Sequence, residues 1–130
     1  MKSEFAIRHN FISILEHATT IPMLYLVSAE FIENSVTPEA FPQVWENVIR
    51  PSLETLVKMA DEKKLTGGVL VGQRAGAFVI DAQSNEEVGT LLGNLPFWGL
   101  IKWNVTPLQS VRSAIERDRK AVDAMKASRR

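Results

Sequence analysis

The sequence predicts an α+β fold in which helices pack on one face of a four-stranded antiparallel sheet. Three observations carry this reading. Between residues 23 and 108, extended and helical patterns follow the order strand, helix, strand, strand, helix, strand. The two middle strands are separated only by a short glycine-flanked turn. The helical stretches repeat their apolar residues at a period near 3.6, while a later strand alternates at a period of two.

The elements follow in order. Residues 3–18 place Ala6, Ile7, Phe11, Ile14, Leu15 and Ala18 at helical spacing, which predicts an N-terminal helix ended by Thr19, Thr20 and Pro22. Met23 to Phe31 is apolar with little alternation, the pattern of a strand buried on both faces. Thr37-Pro38-Glu39 is a helix start, with a capping hydroxyl, a proline in the first turn and an acid near the dipole. The stripe Phe41, Val44, Trp45, Val48, Ile49, Leu56, Val57 and Ala60 carries that helix to about Lys63, with a kink expected at Pro51. Leu65 to Gly72 and Gly76 to Ala82 are two strands joined at Gln73-Arg74-Ala75. Ser84-Asn85-Glu86-Glu87 is a capping box before the apolar face Val88, Leu91, Leu92 and Leu95, and Pro96 stops that helix. Ile101, Trp103 and Val105 alternate with Lys102, Asn104 and Thr106 as a two-faced strand. Ser110 opens a last amphipathic helix over residues 110–127, with Val111, Ala114, Ile115, Val122 and Met125 on one side. We read residues 1–130 as one domain, with 23–108 as its core and the two terminal helices as additions.

Composition excludes several functions. A hydrophobic fraction of 45% is too high for a disordered chain. The formal net charge is zero, so the basic field that nucleic-acid binding needs is missing. Residues 109–130 do carry seven Lys/Arg against three Asp/Glu, which reads as a solvated helix end whose cations suit the C-terminal dipole. The chain has no cysteine, hence no disulfide, thiolate metal site or cysteine nucleophile. The apolar run Pro22 to Val27 falls far short of the ~20 residues of a membrane span. Glu4, Arg8, His9 and Glu16 break up any signal-peptide core, and a cytoplasmic location without membrane contact is expected.

A sheet with helices on one face leaves the other bare. Here that face is predicted to be apolar, from the first strand and from Val69 to Val71 and Phe78 to Ile80. A second copy of the sheet is the expected cover, giving a homodimer or a larger even oligomer.

The stretch Gly76-Ala77-Phe78-Val79-Ile80-Asp81, the helix ending Leu95-Pro96-Phe97-Trp98, and the close Val105-Thr106-Pro107-Leu108 resemble the muconolactone δ-isomerase family. The likeness extends more loosely from Met23 to Leu108. It implies a ferredoxin-like core paired into a dimeric α+β barrel, and a cofactor-free reaction on a small carboxylated lactone. The isomerases carry His and Arg or Lys on the first strand, where this chain has Leu26 and Ser28. They carry an aromatic and basic cluster on the second, where this chain has Leu65 to Val71. Without those cations neither a substrate carboxylate nor an enolate has a partner. The expectation is therefore a relative that binds or transforms a mostly apolar molecule and lacks muconolactone isomerase activity. The alternative is a non-catalytic barrel serving assembly or ligand sensing.

Individual candidates follow. His9 and His17 lie eight residues apart with no accompanying carboxylate pattern, and are read as solvated rather than as metal ligands. Glu30 and Glu33, at the exit of the first strand, are read as surface acids, and Asp81 as a turn former. Gly67-Gly68, Gly72 and Gly76 precede no Gly-Lys-Ser/Thr and so form no phosphate loop; they mark bulges or close strand approach. Trp45 on the long helix and Trp103 on the last strand are placed to line a pocket between helix and sheet, with Tyr25 offering a hydroxyl. These three are the candidate substrate-binding residues; core packing is the competing account of the two tryptophans. No catalytic residue, cofactor or metal is indicated.

Overall fold

The computed structural model describes residues 23–129. The helix expected over residues 3–18, with His9 and His17, lies outside the described residues. Strand β1 (Met23–Phe31) leads to a helical stretch in three parts: α1 (Phe41–Val44), a π turn (Trp45–Ile49) and α2 (Arg50–Asp61). The hairpin β2 (Leu65–Val69) and β3 (Ala75–Ala82) follows, then α3 (Asn85–Gly93), a short 3₁₀ turn (Trp98–Leu100), β4 (Ile101–Leu108) and α4 (Val111–Ser128). All three strand pairings are antiparallel, and the order across the sheet is β2-β3-β1-β4. This is the α+β arrangement expected from the βαββαβ order, the split βαβ topology of ferredoxin-like domains.

Local chemistry explains the helix boundaries. The Thr37 hydroxyl accepts from the Ala40 amide at 3.2 Å, so the helix start read at residues 37–39 is a capped turn, and the helix proper begins at Phe41. Pro51 does not leave a gap. The turn before it widens, so that the Arg50 amide reaches five residues back to the Trp45 carbonyl. The Ser52 hydroxyl, one residue past the proline, donates to the Val48 carbonyl at 2.8 Å. The kink expected at Pro51 is thus a π turn at Trp45–Ile49. At the far end, the Lys64 and Lys63 amides donate to the Met59 and Ala60 carbonyls at 2.9 and 3.0 Å, the paired bonds of a Schellman stop. Lys63 carries φ +65°, which suits glycine better than a side chain. Lys63→Gly is expected to stabilise the protein by about 1 kcal/mol. In urea this shows as a higher midpoint with unchanged slope; an unchanged midpoint would refute it.

The cap before α3 is formed as a near-variant of the capping box, its return bond reaching the amide of the residue before the N-cap. The Ser84 hydroxyl accepts from the Glu87 amide at 3.1 Å, and the Glu87 carboxylate accepts from the Gln83 amide at 3.2 Å.

The core lies between the helices and one face of the sheet: Tyr25, Val27, Ala29, Phe78 and Ile80 meet Ile49, Leu56, Met59, Val88 and Leu92. The two-sided burial expected of β1 is not found. Its residues alternate, with Tyr25 and Val27 buried while Leu24 and Leu26 are 41% and 44% exposed, because helices cover one face only. The bare face divides in two. Leu24, Leu26, Val79 and Leu108 make a mostly apolar half, which Asp81 and Thr106 also share; Ser28, Glu30, Lys102 and Asn104 make a polar half, with Glu30 directly opposite Lys102. No residue of α4 is buried, and its apolar stripe, including Val111 and Met125, faces outward. Among the described residues, no helix is long and apolar enough to cross a membrane.

Candidate functional site

A cavity of about 240 Å³ opens between the helical stretch and the end of the sheet where β1 finishes and β3 begins. Its walls are Ala29 and Phe31 from β1, Phe41, Trp45, Ile49, Leu53 and Leu56 from the helices, Gly76 and Phe78 from β3, and Phe97 and Ile101 beyond α3. The size suits a small molecule, and the walls are almost wholly apolar.

The floor exists because β3 carries a glycine there. A Cβ on Gly76 would meet the tip of the Phe78 ring at 2.6 Å, so this ring lies across the bare backbone of its own strand. The Phe97 wall is pinned from behind. Its amide donates to the buried Ser52 hydroxyl at 2.9 Å, the same hydroxyl that donates to Val48. Ser52 is fully buried with both hydrogen-bonding capacities used, so it fastens the helix to the segment entering β4.

The polar side chains at the cavity are Gln73 and Arg74, both in the β2–β3 turn. The Arg74 guanidinium lies over the Phe41 ring, 4.4 Å from its centroid, and 5.7 Å from that of Phe31. Its backbone is held as well: the Arg74 carbonyl accepts from the Phe31 amide at 2.9 Å, and Leu70 donates to Ala75 at 2.8 Å.

Of the three sequence candidates, Trp45 lines this cavity, at the start of the π turn. Tyr25 sits at the opposite end of β1, buried, with its hydroxyl donating to the Asn85 side chain at 2.6 Å. Burial pushes the Tyr25 phenol above its ordinary value, and Glu86 and Glu87 nearby push it in the same direction. It stays neutral and acts as a tie between β1 and α3. Trp103 packs edge-on against Phe97, centroids 6.0 Å apart at 68°, and its indole N–H donates to the Trp98 carbonyl at 3.1 Å. It therefore backs the wall of the cavity rather than forming it.

The sequence pattern places Phe31 at the end of a strand, Phe41 on the helix stripe and Arg74 in the hairpin turn, and assigns none of them to a site. Their available signal was two phenylalanines at element boundaries and a lone arginine in a turn between apolar strands. Asp81, Glu30 and Glu33 lie away from the cavity lining, and among the described residues no cluster of three or more His, Cys, Asp or Glu could hold a metal. No protein-family model matches the chain, and no curated protein sequence matches it.

Proposed function

We propose that the protein binds a small, mostly apolar molecule without a cofactor, in the cavity walled by Phe31, Phe41, Trp45, Phe78 and Phe97. The carrying observation is that apolar enclosure of about 240 Å³, open at one end beneath a cation. The lining favours binding over proton transfer. Among the described residues, its side chains include no histidine, carboxylate or tyrosine to serve as acid or base. This agrees with the loss of the isomerase cations at Leu26 and Ser28, and the muconolactone-isomerase resemblance enters this reading for its barrel architecture and not for its chemistry.

The same resemblance, together with the exposed Leu24, Leu26 and Leu108, supports a dimeric α+β barrel in which a second copy covers the apolar half of the sheet. Those leucines equally support the alternative of a non-catalytic barrel serving assembly or sensing. Native mass spectrometry of protein purified from its own host tests both parts. A dimer or larger even oligomer with added small-molecule mass is expected. A bare monomer at micromolar concentration, unresponsive in a thermal-shift screen of apolar compounds, would overturn the reading; an even oligomer without ligand would favour the alternative.

A further inference from the structure

The cavity has a chemical direction: a hydrocarbon interior and, among the described residues, a single cation at its rim. Resting on the binding reading above, we infer that its occupant is an amphiphilic monocarboxylate with a hydrocarbon body, taken tail first, whose carboxylate is received by Arg74.

Three features of Arg74 carry this. First, among the described residues no carboxylate lies within ion-pairing distance of it; the ion pairs there engage Arg50, Lys64, Arg117 and Arg119 instead. Second, its guanidinium is positioned before any ligand arrives, by the Phe41 and Phe31 rings beneath it and by the Phe31–Arg74 backbone bond. A planar fork stacked on an aromatic face still presents its N–H edge, the geometry that takes a carboxylate in two parallel bonds. Third, the charge count fits one anion. A phosphate monoester carries about −1.5 to −2 at neutral pH, which a lone cation beside apolar walls leaves uncompensated.

The interior decides the body of the ligand. The amide behind the Phe97 wall is already spent on Ser52, and among the described residues the lining side chains other than Gln73 and Arg74 in the turn are aromatic or aliphatic. A ring oxygen or hydroxyl placed deep in the cavity would find no partner and would lose its hydration uncompensated. A hydrocarbon tail loses nothing there, and the head group at the mouth remains partly hydrated.

The test is calorimetric titration of phenylbutyrate, its neutral amide and the matching phenylbutyl phosphate into the full chain and into R74Q and R74K. Because Arg74 is exposed, the expected preference for acid over amide is about tenfold, below that of a buried pair. It should vanish in R74Q and survive partly in R74K, which keeps the charge but not the stacked fork. Melting midpoints of the variants should fall only slightly below that of the parent, since the backbone bonds of residue 74 are retained and only the exposed contacts with the Phe41 and Phe31 rings are weakened. Equal affinity for acid and amide, a preference that persists in R74Q, or tighter binding of the phosphate would each overturn the inference while leaving the apolar cavity as a site. Failure of all three probes to bind the folded chain would overturn the binding reading itself. Should R74Q fail to fold, the acid–amide comparison in the parent and R74K still decides.

Discussion

Gly67→Ala is expected to destabilise the protein by about 3 kcal/mol, more than an ordinary surface substitution. Gly67 sits inside β2 with φ +116°, where side-chain-bearing residues are strained. Space is also lacking. A Cβ there would fall on the carbonyl oxygen of Ala77 and lie 3.0 Å from the Cα of Phe78, both backbone atoms of the paired strand. No rotamer change relieves that contact, and β3 cannot retreat because its other edge is bonded to β1. The neighbouring Gly68 provides the control. Nothing lies within 4 Å of a Cβ at that position and its φ is ordinary, so Gly68→Ala should change stability by no more than ~0.5 kcal/mol. Denaturant midpoints of the two variants test this directly; equal stabilities would show that the β2–β3 approach is not the constraint described.

Ser52→Ala carries the second large effect, about 2 kcal/mol. The substitution deletes one methyl-sized polar group, leaves almost no void, and costs helix propensity nothing. Its penalty comes from what remains. The Phe97 amide stays buried with its acceptor gone, and the Val48 carbonyl loses its donor. Thr55 offers a matched comparison in the same helix: its hydroxyl donates to the Pro51 carbonyl at 3.0 Å but is exposed and has no second partner among the described residues. Thr55→Ala should therefore shift the midpoint by no more than ~0.5 kcal/mol. A comparable loss in both would mean that the serine acts through helix geometry alone. Near-ultraviolet circular dichroism adds a second readout, because loosening Phe97 should alter the environment of Trp103 packed against it.

Most of the fold was legible because its signals are local. The Ser84–Glu87 box, the Ile101–Val105 alternation and the stripe from Phe41 to Ala60 each depend on residues a few positions apart, and each produced the element read from it. Signals that depend on neighbours distant in sequence were lost. Met23 to Phe31 is apolar on both faces, which composition cannot tell from two-sided burial; only the siting of the helices leaves Leu24 and Leu26 uncovered. The sequence places the hairpin turn at Gln73-Arg74-Ala75, whereas the loop spans residues 70–74, with Val71 fully exposed. The site was legible in one part, Trp45, since a tryptophan on an apolar stripe must face the sheet. Arg74 was not, because cation–π contact with Phe31 and Phe41 depends on tertiary placement across more than thirty residues of chain. Ser52 left a readable trace: a small polar residue on the inward side of the stripe, between Ile49 and Leu56, needs a buried partner.

The outward-facing α4 has a kinetic consequence. Among the described residues, this 18-residue helix has no buried side chain, so what supports it there is its own backbone bonds, its Ser110 cap and surface charges, whereas most helical stability in proteins comes from packing an apolar face. Its amide protons will trade with solvent deuterium on a clock of their own, much faster than those of β1 and β3. A protease nick within residues 111–128 will leave the sheet and its cavity standing. The described residues thus divide into two opening units, and a slowing of exchange confined to the C-terminal one will report, without any label, the moment that helix finds something to rest against.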